Sequence, residues 1–311
     1  MPAISASAPG KIILFGEHAV VYGQPALAVP VHQVHARAIV RAQPGGDGVK
    51  VLAPDIALNS SLANLPFDDA VGRTIHLTLE ALGITTPPAC TMMINSTIPL
   101  AAGMGSGAAV SVAIVRALSG FMGHPLPDET VNQIAFEVEK LHHGMPSGID
   151  NTVVTYAKPV YFIKGQVPKI IQIRAPFTLV IADTGIATPT SQTVGDVRKS
   201  YEAEPDLFQS YFETCGMIAN NAARSIQQAR VSSLGPLMND NHELLVKMGV
   251  SCPELERLVN AARQAGALGA KLSGGGRGGN MIALVDPGRA AAVESALQDA
   301  GAVRTIISTV D

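Results

Sequence analysis

The sequence predicts an α+β protein with two domains, and three observations support this fold class. The chain of 311 residues is longer than most single domains. Hydrophobic residues make up 47% of it and charged residues 15%, so it can build a large core and is not generally disordered. Segments typical of strands and of helices are mixed without strict alternation, which favours an α+β architecture. We place the domain boundary near residues 165–185 and expect domains over 1–170 and 171–311.

The N-terminal half is predicted to begin with strands and to continue with helices. Short apolar or alternating runs, separated by Gly, Pro and Asp, indicate strands over 12–15, 26–34, 35–42, 49–52 and 91–94. A helix is predicted over 74–82. Small apolar residues on nearly every face predict a buried helix over 106–119, closed by Gly120. Apolar residues at helical spacing predict an amphipathic helix over 128–143.

The C-terminal half is predicted to be richer in helix. Strands are expected over 159–163, 169–173, 177–181, 270–272, 281–284 and 303–308. Helical patterns cover 191–246, 253–265 and 289–300. The two strands 270–272 and 281–284 flank a cluster of glycines, so this cluster is predicted to be a loop within a sheet.

Charge and cysteine content exclude several classes of partner. The chain has 22 basic and 25 acidic residues, so no basic excess indicates binding to nucleic acid or to an anionic membrane. Its three cysteines lie far apart and form no CxxC motif, which fits a reducing compartment. We read no signal peptide and no apolar run of 18 residues, so we expect a cytoplasmic protein with no membrane partner.

A glycine-rich segment runs directly into the predicted buried helix. Gly103, Gly105 and Gly107 allow close approach of the backbone to an anion, and a helix start supplies free N–H groups and a positive dipole end. Phosphate binding is therefore the physical interpretation. It is not a Walker A loop, because no Lys-Ser/Thr follows the glycines. The alternative is a glycine-rich turn in front of a tightly packed helix.

A second glycine cluster lies within residues 271–284. Gly274, Gly276 and Gly279 match the spacing GxGxxG, but a predicted strand follows them, so the dinucleotide-binding context is lacking. Five glycines among six residues still predict a mobile loop with exposed N–H groups, which could cover phosphates or a carboxylate. The alternative is a plain hairpin loop.

Two carboxylates flank a Gly-Met-Pro-Ser-Gly loop. Glu139 lies near the end of the amphipathic helix, and the loop leads to Asp150. One carboxylate could hold a divalent metal, and the other could orient or deprotonate a hydroxyl. The alternative is a capped helix followed by an Asp in a turn. His142 and His143 lack a third zinc ligand, so we interpret them as ordinary residues of a helix end.

Charged residues also interrupt the apolar N-terminal segment. Lys11 precedes an apolar strand, and Glu17 and His18 separate two apolar runs. Charges embedded in this way are unusual unless they are paired or bind a ligand. The alternative is a lysine at a surface edge and a turn that contains Glu and His.

Taken together, these segments resemble the GHMP small-molecule kinases over essentially the whole chain. The motifs that carry the resemblance are PGKIILFGEHAVVYG, HGMPSGIDNTVVTY, MNDNHELLVKMGVS and GALGAKLSGGGRGG. Within this superfamily the motifs are most similar to the kinases that act on mevalonate. The resemblance implies a two-domain α+β fold with ATP and mevalonate bound between the domains, and phosphorylation of the primary 5-hydroxyl of mevalonate in isoprenoid biosynthesis.

The resemblance also implies a role for individual residues. Asp150 matches the catalytic aspartate, and Lys11 matches the lysine that pairs with it and lowers the effective pKa of the acceptor hydroxyl. Glu139 matches the glutamate that binds Mg²⁺, and Glu17 and His18 match positions near the substrate. The loop that wraps the ATP phosphates corresponds to Gly103, Met104, Gly105, Ser106, Gly107 and Ala108. A homodimer is one assembly compatible with the resemblance.

The sequence departs from the family pattern in two places. Gly107 replaces the second serine of the usual Gly-Leu-Gly-Ser-Ser-Ala loop, so either Ser106 or water is expected to complete the metal's coordination. Arg277 stands where small residues are usual, as a cation near anionic ligands or as a solvated side chain. Two alternatives to the function stay open: another GHMP kinase such as a phosphomevalonate kinase, and a catalytically inactive sensor of nucleotide or metabolite.

Overall fold

The computed structural model describes residues 3–99, 103–143 and 146–311, and of residues 142 and 143 it describes the backbone alone. The strands of these residues are β1 (Ile4–Phe15), β2 (Ala26–Ala42), β3 (Val49–Ala53), β4 (Leu58–Ser61), β5 (Cys90–Ser96), β6 (Val160–Phe162), β7 (Lys169–Ile170), β8 (Phe177–Asp183), β9 (Gly269–Ser273), β10 (Asn280–Val285) and β11 (Arg304–Val310). The helices are α1 (Ala70–Ala81), α2 (Ser106–Phe121), α3 (Asp128–His143), α4 (Ile149–Tyr156), α5 (Thr190–Ala203), α6 (Pro205–Gln227), α7 (Leu234–Lys247), α8 (Pro253–Gln264) and α9 (Ala290–Asp299). This mixture confirms the predicted α+β class.

The chain forms two compact units, each assembled from several segments. The first unit contains Met1–Gly10, Val34–Pro99 and Gly105–Ala157. The second unit contains Lys11–Gln33, Leu100–Met104 and Lys158–Asp311. The predicted domains over 1–170 and 171–311 are each continuous in sequence, and they stay a prediction.

The first unit contains packed helices and one part of a sheet with both parallel and antiparallel strand pairs. The second half of β2 pairs antiparallel with β5, β5 pairs parallel with β3, and β3 pairs antiparallel with β4. Helix α2 packs against α1, α3 and α4. This close packing is possible because α2 consists largely of small buried residues, among them Ala109, Ala113 and Ala117, which are fully buried. The predicted buried helix is therefore confirmed, and it runs through Gly120 to Phe121.

The second unit is built on a four-stranded antiparallel sheet in the order β11-β8-β10-β9. All residues of β9 and β10 are buried, and helices α7, α8 and α9 pack on the sheet. The start of α7 approaches β9 so closely that a Cβ atom on Gly235 or on Gly269 would overlap the backbone of the other segment. Both positions need glycine, because the side chain of any larger residue would push the two backbones apart.

The structure differs from the predicted elements in several places. The two strands expected over 26–34 and 35–42 are one strand, β2, because exposed His32 and Gln33 lie on its surface without ending it. The helical region 191–246 divides into α5, α6 and α7. Helix α4 was not predicted, since its β-branched residues favour strands. Packing of its buried residues against α2 and α3 stabilises it nonetheless. No helix in the described ranges is long and apolar enough to cross a membrane.

Candidate active site

The predicted phosphate loop leads into helix α2 through a glycine with a positive φ. Gly105 is the N-cap residue, with φ 71° and ψ 32°, and among the described residues no side-chain hydrogen bond caps the start of the helix. These N–H groups and the positive dipole end of a 16-residue helix form a site suited to a phosphate. The side chains of Met104 and Ala108 are buried, so either residue can meet a phosphate only through its backbone.

The Glu139 carboxylate lies beside the first turn of α2. Glu139 is buried on α3, and a Cβ atom built on Gly107 would lie 3.1 Å from its Oε1 atom. The position of the missing second serine therefore faces a carboxylate at the start of the helix. Within the described ranges no group of three or more His, Cys, Asp or Glu could hold a metal ion. The donor set fits Mg²⁺, which commonly takes one or two carboxylates together with phosphate oxygens and water.

Asp150 lies in the first turn of α4, one residue after Ile149 begins the helix. The loop does lead to it, but the residue itself is helical. Side-chain contacts fix its neighbours: Asn151 Nδ2 donates to Asn132 Oδ1 at 2.6 Å, and Thr152 Oγ1 donates to the Gly148 carbonyl at 2.6 Å. These bonds fix the backbone of the turn from which the half-buried side chain of Asp150 extends.

Lys11 belongs to the second unit and is buried in β1, with 3% of its surface exposed. Its backbone N–H donates to the carbonyl of Met104 at 3.0 Å, so the strand that carries Lys11 anchors the beginning of the phosphate loop. The alternative of a lysine at a surface edge is therefore wrong. The pairing of Lys11 with Asp150 stays a prediction.

Glu17 and His18 form a buried turn in the second unit. Glu17 is fully buried, and its carboxylate accepts a hydrogen bond from Lys271 Nζ. His18 Nε2 lies 3.0 Å from the carbonyl oxygen of Gly275 in the second glycine cluster. Because a carbonyl accepts, Nε2 carries the proton and Nδ1 is left as an acceptor, buried and without a hydrogen-bond partner in the described part of the chain.

The imidazole of His18 is neutral at pH 7. Burial lowers its pKa to about 4, and the charges of Arg277 and Lys271 act in the same direction. A neutral ring with a lone pair on Nδ1 accepts a hydrogen bond from a hydroxyl or from water, and it offers no proton there to a carboxylate. This turn thus presents hydrogen-bond acceptors and no net positive charge.

Lys271 is the functional candidate that sequence reasoning missed. It lies in β9, immediately before the glycine cluster, and none of its surface is exposed. Its Nζ atom also donates to the Leu272 carbonyl at 2.7 Å. The signal was present in the sequence: a charged residue embedded in the apolar run GAKL is as unusual as Glu17 and His18.

The second glycine cluster is held in place by its surroundings. The backbone N–H groups of Arg277 and Gly279 donate to the carbonyls of Val250 and Ile186, at 2.8 and 2.9 Å. The Arg277 side chain donates to Asp196 Oδ2 at 2.6 Å and to the Gly249 carbonyl at 3.1 Å. The loop therefore has fixed backbone partners and Arg277 is paired with Asp196. A role of this loop or of Arg277 toward an anionic ligand stays a prediction.

A second buried histidine supports the strand that carries Lys271. The N–H of Leu272 donates to His242 Nδ1 at 3.2 Å, so the proton of this ring is on Nε2. His242 Nε2 lies 3.0 Å from Glu256 Oε1, but its N–H is not aligned with that oxygen, so the contact is electrostatic rather than a good hydrogen bond. Burial lowers the pKa of His242 to about 4, although the nearby Glu256 raises it.

Comparison with known families defines the class of this protein. The model for the GHMP kinases N terminal domain matches residues 69–158, and the model for the GHMP kinases C terminal domain matches residues 222–303. The first match includes the start of α2 with Glu139 and Asp150, and the second includes Lys271 and the adjoining glycines. The fold is that of a GHMP kinase.

Relatives that match over nearly their full length narrow this class. The mevalonate kinase of Pyrococcus horikoshii is 38% identical, with 97% of this chain and 94% of its own covered. The crystal structure of L. major mevalonate kinase with R-mevalonate has a TM-score of 0.87 at 33% identity, covering 99% of this chain and 95% of that one. Methanococcus jannaschii mevalonate kinase gives 0.87 at 26% identity, with 100% and 99% covered. The chain belongs to the mevalonate kinase family of the GHMP kinases.

Proposed function

We propose that the chain transfers the γ-phosphoryl group of ATP to the primary 5-hydroxyl of mevalonate, giving ADP and 5-phosphomevalonate for isoprenoid biosynthesis. One observation carries the proposal beyond family membership. The first turn of α2 has no side-chain cap among the described residues, so its N–H groups can meet a phosphate, and the Glu139 carboxylate lies beside it, facing Gly107. Phosphoryl transfer depends on such positioning and charge stabilisation more than on covalent chemistry by the protein.

Each residue is assigned a part in the transfer. The backbone of the loop from Gly103 to Ala108 holds the phosphates, and Glu139 holds Mg²⁺, with Ser106 or water completing its coordination. Bound Mg²⁺ would neutralise the charge on the phosphate oxygens. Asp150 accepts the proton of the primary hydroxyl while the oxygen attacks phosphorus. Lys11 lowers the effective pKa of that hydroxyl through its positive charge.

Glu17 and His18 are proposed to contact the acceptor through its hydroxyls. The buried Nδ1 of His18 and the second carboxylate oxygen of Glu17 both lack a hydrogen-bond partner in the described residues, and both are acceptors. Hydroxyl groups are donors that satisfy them, whereas a carboxylate is not. His18 is therefore not proposed to receive the carboxylate of mevalonate.

The electrostatics of this turn disfavour the runner-up substrate. A phosphorylated acceptor needs basic groups at its end of the site. His18 is neutral at pH 7, and the ammonium of Lys271 is paired with Glu17. Neither residue can therefore serve as the extra cation for phosphomevalonate. A sensor without catalysis is disfavoured too, since binding alone requires no Lys11, Glu139 and Asp150 together.

The test is release of ADP by the purified protein with Mg²⁺ and ATP, in the presence and absence of mevalonate. We expect ADP release that depends on mevalonate, with one phosphomevalonate formed for each ADP. Binding of ATP without turnover under any of these conditions would contradict the proposal and support the sensor. The cytoplasmic location and the homodimer stay predictions.

A further inference from the structure

Three contacts join β9 and the loop after it to the N-terminal segment that carries the Glu17–His18 turn. The strand β9 and its following loop bring residues 271, 273 and 275 to the N-terminal segment at alternate positions. Lys271 Nζ donates to the Glu17 carboxylate, Ser273 Oγ donates to the Ile13 carbonyl at 2.7 Å, and the Gly275 carbonyl faces His18 Nε2 at 3.0 Å. Together these contacts tie β9 and the loop after it to the segment from Ile13 to His18.

The turn at His18 is strained and needs such support. His18 has φ 59° and ψ −50°, and the N–H of Ala19 donates to the Glu17 carbonyl at 2.6 Å, which makes His18 the centre of a γ-turn with a positive φ. This kind of turn is rare and strained, the more so for a residue with a large side chain. Strained residues persist where their surroundings over-determine them, and they cluster at ligand sites.

Stability alone does not explain why a lysine is buried at position 271. Its ammonium is fully buried at the centre of a sheet strand, opposite Ile282 of β10. An apolar pair of similar volume is often as stable as a buried ion pair, or more stable. Burial raises the pKa of the neighbouring Cys215 thiol to about 12, so this group is neutral at pH 7 and Glu17 supplies the negative charge. Compared with an apolar side chain of similar volume, the ammonium of Lys271 adds a directional contact to Glu17.

We propose that Lys271 is a positioning residue for the acceptor: its ion pair with Glu17 holds the strained turn in which His18 bonds to Gly275 and keeps its Nδ1 atom available to a substrate hydroxyl. Lys271 acts through Glu17 and His18 and does not itself touch the reacting atoms. The inference rests on the proposed function, since it concerns the same acceptor. It predicts that loss of the ammonium impairs binding of mevalonate and leaves binding of ATP intact.

The test compares Lys271→Met with a matched structural control, Leu297→Ala, which truncates a fully buried side chain of α9 in the same unit. For Lys271→Met we expect KM for mevalonate to rise roughly 10- to 100-fold while KM for ATP stays within about twofold. Leu297→Ala should lower Tm and leave both KM values unchanged. A Lys271→Met enzyme whose two KM values change together, or not at all, would overturn the inference.

A second variant and a second readout cover the case in which Lys271→Met does not fold, since it leaves Glu17 buried without a partner. Lys271→Gln keeps a donor for the Glu17 carboxylate, and we expect a smaller but equally selective rise in KM for mevalonate. In NMR spectra of ¹⁵N-histidine protein, His18 should be the Nε2–H tautomer in wild type and should change its shifts in the Lys271 variant. Unchanged His18 signals would contradict the inference.

The remaining outcomes also decide whether the inference holds. If neither Lys271→Met nor Lys271→Gln folds, Lys271 serves stability and the inference is wrong. If the wild-type protein turns over no mevalonate, the proposed function and the inference both fail. If the wild type is active and KM for mevalonate is unchanged in a folded variant, only the inference fails.

Discussion

Gly107 turns its open side toward Glu139: a Cβ atom on this glycine would lie 3.1 Å from Oε1 of the carboxylate. The distance is shorter than most contacts of a real Cβ, but the oxygen is the end of a flexible side chain and can shift by a few tenths of an ångström. Gly107 has no positive φ and lies in the first turn of α2. The absence of the second serine is therefore not forced by the backbone.

Gly107→Ser should fold and should lower the Mg²⁺ concentration needed for half-maximal rate. The new hydroxyl would lie next to Glu139 and add an oxygen donor where the metal is proposed to bind. Gly107→Ala is the matched control, because it adds the same Cβ without an oxygen. Both variants should gain about 0.5–1 kcal/mol of stability from replacing a helical glycine. A stable Gly107→Ser enzyme with no activity would show that the loop requires glycine for its phosphate contacts.

Glu139→Gln should raise the Mg²⁺ concentration needed for half-maximal rate. A neutral amide is a poorer ligand for a hard divalent cation than a carboxylate of equal size. A magnesium titration of the rate, compared with wild type at saturating ATP, measures the effect. Glu137→Gln is the control, because Glu137 lies two residues earlier on α3 and forms an exposed ion pair with Lys140. An unchanged titration in Glu139→Gln would assign Glu139 to a structural role at the helix end.

Asp150→Asn should keep the fold and the affinity for ATP but lose turnover by about 10²–10⁴-fold, the usual contribution of a general base. The substitution keeps the size of the side chain and removes its basicity. The measurements are kcat, Tm and ATP affinity of the same preparation. Asn151→Asp is not a suitable control, because Asn151 donates to Asn132 and supports the turn. Near-normal turnover in Asp150→Asn would show that another group takes the proton.

Stability should fall as the pH decreases from 6.5 to 5.5. Burial lowers the folded-state pKa of His18 and of His242 to about 4, whereas the ordinary pKa of a histidine is 6.5. The unfolded chain therefore binds more protons than the folded chain in this window. The two neutral histidines make their full contribution to stability above pH 6.5, and this contribution is lost as the pH falls toward 4. Each histidine should cost about 1 kcal/mol between pH 6.5 and 5.5, from the linkage relation.

Urea unfolding at pH 7.0, 6.5, 6.0 and 5.5 measures this slope. His18→Asn is an informative variant, because Asn tolerates a positive φ better than most residues and carries no titrating group. It should remove roughly half of the slope, and His242→Asn should remove a similar share. The window lies above the usual range of carboxyl titration, so Asp and Glu contribute little. A wild-type stability that is constant from pH 6.5 to 5.5 would contradict the neutral, buried state of both rings.

Local features of the sequence predicted the elements that depend on local physics. The small apolar residues of α2 predicted its burial, and the glycines before it predicted a helix start open to phosphate. Helix α4 could not be predicted in this way, because Val153, Val154 and Thr155 disfavour an isolated helix and only packing stabilises it. The phosphate loop and Glu139 were predicted as separate features. That Gly107 faces Glu139 follows from the packing of α2 on α3, which no local pattern contains.

Contacts between distant residues account for what sequence reasoning missed. Arg277 pairs with Asp196, 81 positions earlier, and Lys271 pairs with Glu17, 254 positions away. A charged residue in an apolar run indicates that a partner exists, but it does not indicate which one. The two units could not be read from the sequence for a similar reason. Strand β2 runs without a break past residues 33 and 34, where one unit ends and the other begins, and no local pattern marks this change.

The choice of acceptor tests the central claim most directly. ADP release should be measured with mevalonate, phosphomevalonate, galactose and homoserine, with Asp150→Asn as the background for each. The account predicts that kcat/KM for mevalonate exceeds that for every other acceptor by roughly 10⁴ or more, because a site whose buried acceptors pair with substrate hydroxyls rejects molecules that leave them unpaired. Phosphomevalonate should fail because its primary hydroxyl is blocked and its added charge meets no free cation at the Glu17–His18 turn. Preference for any acceptor other than mevalonate would contradict the account, even if Asp150, Lys11 and Glu139 proved essential.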